Sequence, residues 1–256
     1  MQLLRDVYLV SGRHFFNTSG SNVADCNVYA VRTSEGIILV DCGYDDNSVA
    51  MIDRNLAYWG MNPKDIKYIF LTHSHFDHTG ACRAFKERGA KLVAHPTVAE
   101  ALARGDERTI HYAFMRGDFP TCSVDKAVDD GDRIQVGDWT FDVLNVPGHT
   151  EGNLIFVTEK DGRRIMFTGD FVFHERPLTT DETIAWNGGT EFDTDKFLES
   201  LLRVQRIRAD ALLPGHYGFL LYDGATIVDR ALVVALRAWG NKFAERREVA
   251  DASAGA

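Results

Sequence analysis

The sequence predicts an α/β fold: mixed β-sheets covered by helices, in a single domain over residues 1–256. Three observations carry this expectation. Short runs rich in Val, Ile and Tyr alternate with longer segments of helical periodicity. A length of 256 residues is within the reach of one layered α/β unit. The composition, 45% apolar and 25% charged, is that of a globular chain and excludes disorder or a disulfide-stapled miniprotein.

The elements follow in order. Val7–Ser11, Asn27–Arg32 and Gly36–Asp41 read as strands, with a polar loop over Gly12–Ala24. In Asn47–Trp59 the apolar residues Val49, Ile52, Leu56 and Trp59 recur at helical spacing, and Pro63 prevents continuation. Lys67–Leu71 is a buried-type strand, and a helix over Gly80–Arg88 ends at Gly89. A short strand, Lys91–Ala94, and a short helix, Thr97–Arg104, come next, then an irregular aromatic stretch, Gly105–Thr121. Asp132–Val136 and Trp139–Val146 flank a Gly137-Asp138 turn, and Gly152–Thr158 and Arg164–Thr168 form a second strand pair. Phe171–Glu191 is a long loop. A helix over Asp193–Arg208, capped by Asp193 or Thr194, a strand at Ala211–Pro214 and a helix from Tyr222 to about Val249 complete the chain, with a frayed tail.

Lys and Arg number 28 against 37 Asp and Glu, a net charge of −9, which argues against a nucleic-acid surface. The four cysteines form no C-x-x-C pair. The N-terminus lacks the pattern of a secretory signal, and no apolar run approaches the ~18 residues of a membrane span. The expectation is a cytoplasmic protein with reduced thiols, without a membrane or nucleic-acid partner, and with room for homo-oligomerisation.

The nine histidines are grouped. Thr72-His73-Ser74-His75-Phe76-Asp77-His78-Thr79-Gly80 places three His and one Asp after a buried strand and before a helix. A strand-end loop lets ligands converge while a rigid scaffold holds them. Imidazole with carboxylate suits zinc, iron, manganese or cobalt. Three further strand-like runs end in Gly148-His149-Thr150, Gly169-Asp170 and Gly215-His216-Tyr217. Each alone reads as a turn residue or a hydrogen-bonded core histidine. Four strand ends that all deliver ligand-type residues do not.

This pattern resembles the metallo-β-lactamase superfamily of hydrolases from about Asn27 to His216. The resemblance implies an αβ/βα sandwich, two mixed β-sheets with helices on the outer faces and a metal site at one edge. It implies that His73, His75 and His149 hold one divalent metal ion, that Asp77, His78 and His216 hold a second, and that Asp170 bridges them. Zinc is the expected metal, with iron or manganese as alternatives. The implied reaction is attack on a carbonyl by a hydroxide shared between the metals, with Asp77 moving the proton to the leaving group. His14, His95, His111 and His174 are left over, and His14 and His174 stand in loops beside the site.

Departures narrow the branch. The dinuclear β-lactamases that share this motif usually carry Ser where Asp170 stands, which argues against antibiotic hydrolysis. Asp170 agrees with hydroxyacylglutathione hydrolases and acyl-homoserine lactonases. The former add a basic C-terminal helical region that is not evident here. The latter place a Tyr at the position of Phe173, so Tyr217 becomes the candidate catalytic phenol. His75 argues against flavodiiron oxidases, which carry Glu there. The expected function is hydrolysis of a small ester, lactone or thioester. The alternatives are a mononuclear iron enzyme resembling persulfide dioxygenases and a phosphodiesterase or β-lactamase-like hydrolase. The loops Gly12–Ala24, Gly105–Thr121 and Phe171–Glu191 offer Phe15, Phe16, Tyr112, Phe114, Phe119, Phe173 and Trp186 to a small-molecule substrate, with Arg116 and Arg176 as anion holders. Phe16, His174, Arg176 and Trp186 are the candidate substrate contacts.

Overall fold

The computed structural model describes residues 1–12, 25–174 and 184–254. Strands β1 (Gln2–Leu4), β2 (Val7–Ser11), β3 (Val28–Thr33), β4 (Gly36–Val40), β5 (Ile66–Phe70), β6 (Lys91–Ala94) and β7 (Lys126–Ala127) form one sheet in sequence order. Neighbours run antiparallel as far as β4 and parallel from there. A second sheet holds β8 (Arg133–Val136), β9 (Trp139–Asn145), β10 (Leu154–Lys160), β11 (Arg163–Gly169) and β12 (Ala211–Pro214), antiparallel except for the parallel β11–β12 pair.

A parallel pair needs a crossover, and helices supply it. Between β4 and β5 runs α1 (Asp46–Tyr58), and between β5 and β6 run α2 (Phe76–Thr79) and α3 (Cys82–Glu87). The β6–β7 connection carries α4 (Pro96–Arg104) and α5 (His111–Phe114), and α6 (Thr194–Val204) joins β11 to β12. The last helix is α7 (Ala225–Ala254). Asp45 starts α1 through a capping box with Ser48, and Asp193 caps α6 by accepting from the Asp195 and Lys196 amides.

Strand alternation sorts the apolar residues into three layers. Ile37 and Leu39 of β4 pack outward with Ile52 and Leu56 of α1, whereas Ile38 and Val40 face Phe141 and Phe156 of the second sheet. Ile155 and Val157 of β10 meet Leu198 and Leu201 of α6 and Val228 of α7 on the far side. The layer order is therefore helix, sheet, sheet, helix. Phe70, Phe141 and Phe156 centre the middle layer, with Phe70 edge-on to Phe141 at 5.3 Å. Truncating any of them to Ala costs about 3–5 kcal/mol.

Several elements differ from expectation. The edge strands β1 and β7 are two or three residues long, too short for an alternation signal. The helix expected over Gly80–Arg88 is α3, and a separate short helix, α2, precedes it and carries Asp77 and His78 of the motif. A Cβ at Gly80 would lie 2.1 Å from the Tyr44 carbonyl oxygen, so the chain turns there against the α1 entry. The final helix begins at Ala225 rather than Tyr222, because Leu220 pairs with Leu212 and Asp223 takes a left-handed φ of +55°. It runs on to Ala254, through an Ala-rich tail of high helix propensity.

Backbone hydrogen bonds join the sheets at one edge, among them Leu154 N to Thr72 O at 2.7 Å and Asn27 N to Gly215 O at 2.6 Å. The segments following β4, β5, β9, β11 and β12 meet there.

Candidate metal centre

Two groups of side chains converge at this edge. His73, His75, His149 and Asp170 bring their ligand atoms within 4.8 Å of one another, and Asp77, His78 and His216 do the same beside them. In the first group His75 Nδ1 lies 3.2 Å from His149 Nε2. In the second, Asp77 Oδ2 is 2.9 Å and His78 Nε2 3.3 Å from His216 Nε2. The Asp170 carboxylate faces both, 3.2 Å from His78 Nε2, 3.5 Å from His216 Nε2 and 3.9 Å from His149 Nε2. Gly215 permits this approach, since a Cβ there would lie 2.4 Å from Asp170 Oδ1 and 2.6 Å from the His78 ring.

Residues behind the cluster orient three of the imidazoles through their Nδ1 atoms. The Thr72 hydroxyl donates to Asp41 Oδ2 at 2.9 Å and therefore accepts from His73 Nδ1 at 3.0 Å. This leaves His73 Nε2 bare, buried and without a hydrogen-bond partner. His78 Nδ1 donates to Asp41 Oδ2 at 2.8 Å, and His149 Nδ1 donates to the Trp186 carbonyl at 3.0 Å. Their Nε2 atoms then point inward. Asp170 Oδ1 lies 3.2 Å from His78 Nε2. Inward ring nitrogens around a common point, with carboxylates interleaved, are what a divalent cation binds. The donor set fits such ions.

The charges divide the cluster. Burial, reinforced by mutual repulsion among the histidines, drops His73 and His75 well below the ordinary histidine range, and burial lowers His149. Burial also opposes the His78 and His216 cations, but neighbouring groups, with Asp170 and Asp77 common to both, outweigh it and raise them. Burial likewise disfavours ionised Asp170, yet His216, His78 and His149 hold it below the usual carboxylate range.

A cavity of about 210 Å³ opens on the cluster. His75, Asp77, Asp170 and His216 form its floor, and Phe76, Ile110, Phe114, Phe173, Trp186 and Tyr217 its walls. Phe114 stacks on Phe76 at 5.5 Å, and Trp186 stands edge-on to His75 at 5.7 Å. Tyr217 takes a left-handed φ of +60°, and the Asn27 side chain donates to its carbonyl and to that of Pro214.

Trp186 and Tyr217 thus reach the cavity as the sequence suggests. His174 does not line it; its backbone bridges to Tyr217 and Gly218. Arg116 lines a different cavity beside Tyr44 and Arg83. Phe119 is buried in the core, and Tyr112 projects outward. His95 caps α4, and His111 packs on Phe76 and Phe119. His14, Phe15, Phe16 and Arg176 lie outside the described residues. Sequence reasoning missed Asp41 and Thr72. The available signal was Asp41 closing β4, whose end must lie beside the end of its parallel neighbour β5.

The family model described as the metallo-beta-lactamase superfamily matches residues 22–216. The chain belongs to the metallo-β-lactamase superfamily. This superfamily member is 31% identical to the acyl-coenzyme A thioesterase MBLAC2 of Homo sapiens, over 57% of its own length and 58% of that protein. It is 31% identical to a hydroxyacylglutathione hydrolase of Pseudomonas putida, over 50% of the chain and 41% of the relative. The chain thus spans less than two thirds of either enzyme. BJP-1, a subclass B3 metallo-beta-lactamase of Bradyrhizobium japonicum, superposes with a TM-score of 0.68 at 26% identity, covering 100% of this chain and 95% of that one. Family and relatives together indicate a metal-dependent hydrolase. No described helix is long and apolar enough to cross a membrane.

Proposed function

We propose that the chain is a dinuclear hydrolase of small acyl compounds, with thioesters ahead of esters and lactones. The observation that carries this reading is the placement of Asp170 between two separate donor groups, one of which holds the bare buried His73 Nε2. His73, His75 and His149 would hold one divalent ion, Asp77, His78 and His216 the other, and Asp170 would serve both. When bound, such a pair supplies water that ionises near neutral pH and positive charge for a developing oxyanion. Zinc is the proposed metal.

The remaining work falls to the protein. The Trp186 carbonyl and Asp41 hold His149 and His78 with their Nε2 atoms toward the site. Phe76, Ile110, Phe114, Phe173 and Trp186 bind the acyl group and keep bulk water from the reacting carbonyl. Asp77, on the cavity floor, passes a proton to the departing thiol or alcohol. Tyr217 faces the same space and orients the leaving group. Thioesters stand first because two relatives of different name, the acyl-coenzyme A thioesterase and the hydroxyacylglutathione hydrolase, act on them, and because the walls are apolar. Asp170 would serve both ions where the β-lactamases that resemble this motif usually carry Ser, which supports an acyl substrate other than a β-lactam.

The test is a substrate panel on protein of known metal content: acyl thioesters, esters, lactones, β-lactams and phosphodiesters. Thioester turnover at the highest kcat/KM is expected. A preference for phosphodiesters or β-lactams would overturn the reading.

A further inference from the structure

A second set of reactive side chains lies outside the metal cluster. Cys42, Cys82 and Cys122 belong to one packed cluster in the layer between the first sheet and its helices. Cys42 and Cys82 are fully buried with their sulfurs 3.4 Å apart. Cys122 is partly exposed and packs against the same cluster, near enough for its thiol and that of Cys82 to influence each other's ionisation. All are free thiols.

The three thiols are not equivalent. The neighbouring Cys82 thiol favours the Cys122 thiolate against the effect of burial, and the Lys86 and Arg83 charges add to it. Burial pushes the Cys82 thiol well up. Thiolate character and access therefore coincide at Cys122, and the thiolate is the reactive form. At the inner end the partners are almost in place. A disulfide needs about 2.05 Å between sulfurs, so the buried pair must close by little more than about 1 Å. The flanking backbones are already joined, Cys42 N to His78 O at 3.0 Å and Ala81 N to Gly43 O at 3.1 Å.

We propose that Cys122 is an oxidation site from which Cys82 and Cys42 carry the oxidation inward to a buried disulfide beside the metal motif. The oxidant is a hydroperoxide. The Cys122 thiolate attacks its distal oxygen, the O–O bond breaks, and the sulfur is oxidised to sulfenic acid as water or an alcohol leaves. The Cys82 thiol attacks that sulfur, forming the first disulfide and releasing water. The Cys42 sulfur then attacks Cys82, the Cys42–Cys82 bond forms, and Cys122 departs as a thiol with the proton of Cys42. One hydroperoxide is reduced, and two thiols become one disulfide. Cys42 follows Asp41, the partner of His78, and its sulfur lies 3.2 Å from the His78 carbonyl oxygen, so the product bond forms directly behind the metal motif.

The experiment treats the metal-loaded full chain with hydrogen peroxide and maps disulfides by mass spectrometry without reduction. The wild type should lose two hydrogens and join the Cys42 and Cys82 peptides. In Cys122→Ser that link should form at least about tenfold more slowly, because the buried thiols have lost their reactive outer partner. In Cys82→Ser, Cys122 should stop at sulfenic or sulfinic acid with no disulfide. An undiminished Cys42–Cys82 rate in Cys122→Ser would overturn the relay. So would a wild-type product oxidised at Cys122 alone, or one linked through Cys122 with Cys42 still a free thiol.

Discussion

His73, His75 and His149 meet as buried imidazoles whose basicity burial lowers, whereas His78 and His216 share their space with Asp77 and Asp170 and are more basic than an ordinary histidine. The first group presents neutral imidazoles with no positive charge to displace. The second offers more negative charge, but its histidines hold protons that an incoming ion must expel. Their exposure differs as well, since the His216 side chain keeps 20% of its surface accessible and the His149 side chain none. One edge of one fold therefore carries two donor sets of unequal character, and ions should occupy them in sequence, the all-histidine set first.

The strongest way to break the comparison is to remove what the two sets share. Asp170→Asn should lower kcat/KM on the order of 10³-fold or more, with fewer than two ions retained per chain. Near wild-type turnover at full metal content would show that the two sets work independently of Asp170.

A second probe sharpens the acidic side. Asp25 lies behind the second set, where burial raises its pKa to about 6 against hydrogen bonds from Ser11 and Ser48, and the Asp77 charge adds to the rise. Because the folded pKa is the higher one, the folded chain holds this proton more tightly than the unfolded chain. The resulting stabilisation is fully present below the unfolded value, near 3.8, and is lost as pH rises through about 6. Asp25→Asn mimics the protonated form. In denaturant unfolding it should exceed the wild type by about 2–3 kcal/mol at pH 8 and converge with it near pH 4. Parallel pH profiles would remove Asp25 from the account.

Asp41→Asn keeps the shape of the His78 support but weakens its acceptor charge. Metal affinity should fall about 10–100-fold, with the second ion lost at lower chelator concentration than the first. Simultaneous loss of both would erase the distinction between the sets. The smallest effect belongs to the cavity wall. Phe114→Ala should raise KM for longer acyl thioesters about fivefold and leave short ones and metal content unchanged, as loss of apolar contact worth about 1 kcal/mol predicts.

Much of this was legible in the sequence. The H-x-H-x-D-H run after a strand, and single ligand-type residues closing three later strands, announce a convergent site because parallel and layered strands place their ends at one edge. Alternation in β4, β5 and β10 sorts the core residues into layers directly. Asp41 was harder, because one Asp after a strand is common in turns and its role appears only once the β4 and β5 ends are side by side. The Cys42–Cys82 contact spans forty positions of sequence, and no local pattern reports it. His174, expected as a substrate contact, pairs with Tyr217 and Gly218 outside the cavity lining, and a loop position in sequence says nothing about which way its backbone pairs.

The central claim is that two ions act together on an acyl bond. Its most direct test is stepwise return of zinc to chelator-stripped protein, following bound metal and anaerobic thioester hydrolysis in the same samples. The account predicts two ions per chain, bound in sequence, with turnover rising as the second is taken up. Full turnover at one ion per chain, or turnover that consumes oxygen, would contradict it.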